Sequence, residues 1–290
     1  KERSESLWVQ EQYRYEEPDG NKRNKITRPS LQEDINAEVA VIGAGLAGLL
    51  TAYLLQSRGI SVVVLESNIS GSGITKGTTA KITSQHGLIY HKLMMYKGEE
   101  RTREYAWANQ HALDKFEEII EKLQINCDYE IKPNYVYTLQ NELQIRQEFE
   151  AAKKLGLPAR YIKETTLPFQ VKAAIRFDNQ AQFHPLKFLD AIAEGLTIYE
   201  NTRVTEILSN GIIKTDKGSV KAKKMVIATH YPFINVPGYY FLRLHQEREY
   251  LTALETDDKN AKIQLDGMYL DANSQGFTFR NYKDYLIMGG

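Results

Sequence analysis

Two short apolar runs, Val39-Ala40-Val41-Ile42 and Ser61-Val62-Val63-Val64-Leu65, flank a stretch that turns through Gly43-Ala44-Gly45 and then carries no charge up to Ser57. Short runs rich in β-branched residues read as buried strands, and residues 46–57 between them read as a helix capped at Arg58-Gly59. Residues 37–66 thus predict a strand–helix–strand unit. Farther on, Tyr105, Ala108, Ala112, Phe116, Ile119 and Leu123 recur at spacings of three and four with charges between them. That period predicts one long amphipathic helix over residues 98–123. A helix over 142–155 stopping at Gly156, and another after His184-Pro185 through Leu186, Phe188, Leu189 and Ile192, follow from the same pattern. Strands are expected at 129–131 and 135–139, joined as a hairpin by Lys132-Pro133-Asn134. A close series comes next at 197–199, 203–208, 212–215, 219–221 and 225–228, with Ser209-Asn210-Gly211 and Asp216-Lys217-Gly218 as turns. The uniformly apolar Met225-Val226-Ile227-Ala228 reads as a strand buried in a parallel sheet. The Tyr-rich remainder predicts strands at 250–254, 268–270, 277–280 and 285–288.

The first 36 residues are polar, with a turn at Pro18-Asp19-Gly20-Asn21 and a basic run of Lys22, Arg23, Lys25 and Arg28. They predict an arm or loose leader with a solvated basic face, Trp8 being the residue available to dock. The chain of 290 residues leaves room for two domains. Lys and Arg equal Asp and Glu at 37 each, so no excess charge points to nucleic acid or an anionic membrane. Cys127 is the single cysteine, which excludes an internal disulfide and a cysteine-cluster metal site and fits a reducing, cytoplasmic setting. Residues 39–57 are long and uncharged enough for a membrane span, but three glycines and a β run interrupt them. More than thirty mostly polar residues precede them, which argues against a signal peptide.

Candidate chemistry centres on Gly43-x-Gly45-x-x-Gly48, placed between a strand and a helix. The first glycine permits the tight turn, the second lets a pyrophosphate approach the backbone, and the third lets the helix pack closely on the sheet. Leu46 and Ala47 open the helix, whose first N–H groups and positive dipole end face an anion there. Glu66, with Ser67 after it, ends the second strand where a carboxylate accepts both hydroxyls of an adenosine ribose and repels a 2′-phosphate. The motif alone does not separate FAD from NAD; the helical insertion, the meander of short strands and the buried terminal strand after it resemble the two-domain FAD enzymes of the glutathione reductase type more than simple dehydrogenases. The loop Gly71-Ser72-Gly73-Ile74-Thr75-Lys76-Gly77-Thr78-Thr79 offers N–H groups, hydroxyls and a lysine to an anion, and reads equally as a polar surface loop. The six histidines His86, His91, His111, His184, His230 and His245 form no metal-ligand spacing, and no Gly-x-Ser-x-Gly elbow occurs. No metal is therefore expected. His184 reads as a helix-start residue.

Ser6-Leu7-Trp8, the 41–66 unit, Gly77-Thr78-Thr79-Ala80-Lys81-Ile82-Thr83-Ser84-Gln85-His86-Gly87-Leu88-Ile89-Tyr90, Asn179-Gln180-Ala181-Gln182-Phe183-His184-Pro185-Leu186 and Ala228-Thr229-His230-Tyr231-Pro232-Phe233 follow one another in that order. Together they resemble the bacterial FAD-dependent oxidoreductases of the D-amino-acid oxidase/glycine oxidase superfamily, in the branch fused to a C-terminal Rieske [2Fe–2S] domain. The resemblance implies an α/β fold, a Rossmann-like FAD domain (37–98 and 176–235) interleaved with a mixed-sheet substrate or cap domain (99–175 and 236–290). It implies that Gly43, Gly45 and Gly48 face the FAD pyrophosphate and Glu66 the ribose. It also implies that Gly73, Thr75, Thr78, Thr79, Ala80 and Lys81 line the path toward the isoalloxazine, that Val204 lies against adenine, and that Ala228 and Thr229 close over the cofactor. His86 and His230 follow flavin-proximal segments, and Arg280 lies in the general region where related amino-acid oxidases use an arginine for a substrate carboxylate; these are the catalytic candidates, beside structural roles for the histidines and a surface ion pair for Arg280, which is the plainer reading. The family's second FAD segment follows a strand ending in Gly-Gly, here Gly289-Gly290, and the Rieske ligands have no counterpart among the 290 residues. The chain is accordingly expected to be the N-terminal FAD part, with the [2Fe–2S] centre in the full-length relative only. The implied reaction oxidises a C–N bond of an amine or amino acid, hydride leaving the α-carbon for flavin N5 and electrons passing to a Rieske centre or oxygen. An NAD-linked dehydrogenase and a non-catalytic nucleotide-binding protein are the other classes open.

Overall fold

The computed structural model describes residues 5–14, 27–234, 238–255, 262–273 and 276–290. Along the chain run α1 (Leu7–Arg14), β1 (Ile35–Ile42), α2 (Leu46–Gln56), β2 (Val62–Leu65), β3 (Lys81–Ile82), α3 (Tyr90–Lys97), α4 (Glu99–Lys122), β4 (Glu130–Thr138) and α5 (Glu142–Lys154). They are followed by β5 (Ala159–Ile162), β6 (Ala173–Gln182), α6 (Pro185–Ile192), β7 (Thr197–Tyr199), β8 (Val204–Ile207), β9 (Ile212–Thr215), β10 (Ser219–Ile227), β11 (Leu251–Glu255), β12 (Met268–Asp271), β13 (Thr278–Tyr282) and β14 (Tyr285–Gly289). The expected turn at residues 18–21 and the basic residues Lys22, Arg23 and Lys25 lie outside the described residues. Two units emerge, residues 1–78 with 185–247 and residues 79–184 with 248–290.

The first unit is built on a six-stranded sheet in the order β7-β2-β1-β10-β9-β8. Its first four strands run parallel, and β9 and β8 return antiparallel. All of β2 and the second half of β1 are buried, as expected of strands covered on both faces. On one face Ala40, Ile42, Val63 and Leu65 form a core with Leu31, Ile213, Val220 and Ala222. Alternation sends Val39, Val41, Val62 and Val64 to the other face, and α2 packs on both strands with Leu49 and Ala52 fully buried. The expected strands at 219–221 and 225–228 are one strand, β10, because pairing with β1 continues through the exposed Lys223 and Lys224. Its apolar end is less covered than the uniform run suggested: Met225 and Val226 are half-buried and Ile227 is 44 % exposed. The expected arm carries a helix, α1, and Trp8 is buried at 2 % exposure.

The second unit is an eight-stranded mixed sheet in the order β11-β14-β13-β12-β4-β6-β3, with β5 also on β6. Among the described residues its one parallel pair is β12 with β4. The hairpin expected across Lys132-Pro133-Asn134 does not form. β4 runs straight through it against β6, and a register shift between Lys132 and Asn134 absorbs the proline. The expected long helix is α4, preceded by the separate α3, with Gly98 at φ +81° turning the chain between them. Helices α3 and α5 bury Tyr90, Ile145, Ala151 and Ala152 against Val136, Ile175 and Phe177 of the sheet. The opposite core holds Tyr135, Tyr137 and Tyr269 under Leu167, Val171 and Leu265.

Candidate functional site

In the first unit the glycine turn is fixed by what its neighbours leave no room for. Gly43 has φ +106°, and a Cβ there would lie 2.8 Å from the Ala228 carbonyl oxygen. A Cβ on Gly48 would lie 1.9 Å from the Gly43 carbonyl oxygen, so helix α2 packs against the turn at a distance that only hydrogen permits. Gly45 differs: the nearest atom to its Cβ position is Thr75 Oγ1 at 3.5 Å. Its face is open to an approaching ligand.

Gly45, the N-cap of helix α2, supplies no side-chain cap of its own. Among the first donors of the helix, the Leu46 N–H bonds to Thr75 Oγ1 at 3.1 Å, and just before the helix the Ala44 N–H donates to Glu66 Oε2 at 2.8 Å. Glu66 Oε1 accepts from the Asn68 N–H (2.8 Å) and the Ser67 hydroxyl (3.1 Å). A carboxylate has about four acceptor positions, so the half-buried Glu66 keeps capacity for a further hydroxyl donor. The helix start, bare backbone at Gly45 and carboxylate across the turn suit the pyrophosphate and ribose of a dinucleotide.

The rest of the wall is laced to this turn. Ala228 N–H donates to Ile42 O at 2.8 Å, which places Ala228 and Thr229 beside Gly43. Gly71 N–H donates to Ala44 O at 2.9 Å. Thr202 N–H reaches Glu66 O and Asn201 N–H reaches Asn68 O, each at 2.8 Å, bringing the start of β8 at Val204 toward the loop after β2. Buried Glu200 ties the same loop through the Ser70 N–H at 2.9 Å and Arg28 at 3.2 Å. Gly73 leads into the 3₁₀ turn Ile74–Gly77, and Thr78 follows it. Gly43, Gly45, Leu46, Ala47, Gly48, Glu66, Ser67, Thr75, Ala228 and Thr229 therefore surround one turn, with Gly73, Thr78 and Val204 on adjoining segments.

Thr79, Ala80 and Lys81 belong to the second unit. Ala80 has φ +54° and is held there as its carbonyl accepts from Phe183 N–H (3.3 Å) and Arg280 Nη1 (3.2 Å). Lys81 Nζ donates to Tyr269 O at 2.9 Å and Thr278 Oγ1 at 2.5 Å. Burial, then the nearby Arg280 charge, pushes its ammonium down to about 7.

The three catalytic candidates take different positions. His86 is exposed, its Nδ1 2.7 Å from the Tyr105 hydroxyl. His230 is exposed on the loop after β10, in the first unit. Arg280 is 1 % exposed and spends two guanidinium nitrogens on the carbonyls of Ala80 and Phe183. That makes it a clamp joining β13 to the chain before β3 and after β6. His184 is fully buried before α6, donating its N–H to Cys127 O at 2.7 Å.

Two clusters had no local signal. Asp266 accepts hydroxyl bonds from Tyr269 (2.5 Å), Tyr135 (2.6 Å) and Thr166 (2.8 Å), gathered from three separate parts of the chain. Glu148, fully buried on α5, accepts the Tyr90 and His91 N–H groups at 2.8 Å each and caps α3. Among the described residues no group of three or more His, Cys, Asp or Glu is placed to hold a metal, and no helix is long and apolar enough to cross a membrane.

Residues 38–290 match the family model described as FAD dependent oxidoreductase. YhfW of Bacillus subtilis (strain 168), provisionally named a Rieske 2Fe-2S iron-sulfur protein, is 35% identical over 273 residues, 90% of this chain and 52% of its own length. Gamma-glutamylputrescine oxidoreductase of Escherichia coli (strain K12) is 26% identical over 69% of this chain and 50% of its own. The chain spans about half the length of the curated relatives it matches. Among solved structures, L-proline dehydrogenase from P. horikoshii superposes with a TM-score of 0.67 at 20% identity, covering 90% of this chain and 70% of that one, a likeness of fold.

Proposed function

The chain belongs to the family of FAD-dependent oxidoreductases, and from that premise we propose that its glycine turn holds FAD for the oxidation of a C–N bond in an amine or amino acid. The observation that carries the FAD assignment is the start of α2: bare at its N-cap Gly45 and faced by the Glu66 carboxylate. Residues 43–48 take the pyrophosphate through backbone N–H groups, and Glu66 with Ser67 takes the adenosine ribose. Val204 lines the adenine end. Ala228 and Thr229 close one side, while Gly73, Thr75 and Thr78 line the way to the isoalloxazine, and Thr79, Ala80 and Lys81 follow them in the chain. FAD, when bound, supplies the two-electron acceptor. The chain's own part is to bind it, orient it and keep water out.

The substrate class rests on the curated relative whose name places it on such a compound, gamma-glutamylputrescine. No proton-carrying side chain is assigned. His86 and His230 are the exposed candidates, and the enclosed guanidinium of Arg280 suits a clamp better than a substrate carboxylate. Electrons then leave for a Rieske centre or for oxygen, the first supported by the name of YhfW. A cytoplasmic setting belongs to the same reading, on the balanced charge and the single Cys127.

The test is anaerobic addition of amino acids and amines, one at a time, to the FAD-loaded protein while its visible spectrum is followed. Bleaching of the flavin bands by a member of either class supports the proposal. Flavin that no amine, amino acid or artificial donor reduces points to a binding protein, and nicotinamide-dependent turnover without a flavin spectrum points to a dehydrogenase of another kind.

A further inference from the structure

The loop that carries Thr75 packs on α1 and α6 with Thr75 buried, and is open on its other side. Ile74 is 62 % exposed, and no atom lies within 4 Å of the Cβ positions of Gly73 and Gly77. Besides this packing, two polar holds act on the loop, both within the first unit. Thr75 Oγ1 accepts the Leu46 N–H at the start of α2. From the other direction Trp8 Nε1 donates to Thr78 O at 2.8 Å, and the Ser6 hydroxyl donates to Lys76 O. These carbonyls lie in and just after the 3₁₀ turn, at the end of a helical segment where carbonyls lack partners within the helix.

Helix α1, which carries Trp8, is anchored independently of the loop. The Gln12 side-chain amide donates to Asp190 on α6, and Glu11 is 2 % exposed. The Trp8 ring is buried while its N–H does the bonding, so one residue supplies both packing and direction. An arm docked only for stability would have no need to direct two donors at successive exposed stretches of one loop.

We propose that α1 is a clasp on residues 74–78, with Trp8 and Ser6 as positioning residues that keep Thr75 at the start of α2 and thereby slow the departure of the dinucleotide. This rests on the reading of residues 43–48 as the FAD pyrophosphate site. The clasp acts on the loop whether or not the cofactor is bound, so the two claims are separable by experiment.

The test compares wild type with Trp8→Ala, Trp8→Phe, which keeps a ring but loses the N–H, and Ser6→Ala. Amide hydrogen exchange at residues 74–79 is measured in the flavin-free protein, and flavin release after dilution is followed by recovery of free-flavin fluorescence. We expect exchange in Trp8→Ala to rise by about tenfold, the factor that goes with about 1.4 kcal/mol of lost closure. Trp8→Phe and Ser6→Ala rise less, and flavin release accelerates in the same order. Unchanged exchange at 74–79 in a folded Trp8→Ala protein overturns the clasp, as does faster exchange with unchanged flavin release. If Trp8→Ala does not fold, Trp8→Phe and Ser6→Ala decide by the same two measurements. Faster exchange in the variants, with a wild type that never retains flavin, leaves the clasp on the loop standing and refutes the FAD reading instead.

Discussion

The glycines of one turn separate packing from binding. At Gly48 an added methyl would meet the Gly43 carbonyl oxygen at 1.9 Å, backbone that cannot swing aside. Gly48→Ala is expected to destabilise the fold by about 1–3 kcal/mol, read by thermal melting, and to abolish flavin retention with it. At Gly45 the nearest neighbour is a threonine hydroxyl at 3.5 Å, so Gly45→Ala should cost less than about 1 kcal/mol while weakening flavin binding. Equal melting losses in the two variants would contradict this division. Asp266 makes a second residue-scale prediction. Burial opposes its charge, but hydroxyl bonds from Tyr135, Tyr269 and Thr166, with the Arg176 charge, outweigh burial and hold the carboxyl below its usual range. A depressed carboxyl stabilises the fold above its unfolded pKa of about 3.9 and loses that contribution as pH falls through the lower folded value. The urea midpoint of the wild type should therefore drop below about pH 4, and Asp266→Asn should flatten that drop. An unchanged slope would remove Asp266 from the account.

At the scale of elements, caps and interruptions decide where the chain turns. Helix α3 begins at Tyr90 with its N–H groups bonded to a carboxylate 57 and 58 residues away, on α5. Glu148→Ala should cost about 1–3 kcal/mol by stranding those buried donors, with hydrogen exchange rising first in α3. Melting loss without any change in α3 would show that the residue acts elsewhere. No sequence pattern announces such a cap, since Glu148 stands on an ordinary helical stretch. The misread strands have the same origin. Pro133 is a turn residue by local preference, yet β4 passes through it because Tyr135, Val136 and Tyr137 on its far side are buried in the same sheet. Lys223 and Lys224 look like a break, but seven pairings with β1 carry β10 past them. Backbone pairing outweighed side-chain character in both places. By contrast β1, α2 and β2 were legible because their signals are local: an apolar run, three glycines and a second apolar run within thirty residues.

For the whole molecule, the ordering of segments carried more information than any one of them. The turn marked a dinucleotide, and the stretches around Thr78, Gln180 and Ala228 narrowed it to the FAD-dependent oxidoreductases. What the sequence hid were contacts between distant positions: Trp8 on Thr78, Arg280 on Ala80 and Phe183, Glu200 on Ser70. Each joins residues that share no period and no motif, so only folding brings them together. The catalytic candidates were named one by one, and the fold keeps them apart in kind: His86 and His230 are exposed, while Arg280 is enclosed on the carbonyls of Ala80 and Phe183. The central claim is that residues 43–48 and Glu66 form an FAD site, and retention of flavin after gel filtration of the FAD-incubated protein tests it most directly. The account predicts a flavin spectrum eluting with the wild type and lost from a folded Gly45→Val variant. A colourless wild type that melts cooperatively, or a Gly45→Val protein that holds flavin equally well, would contradict it.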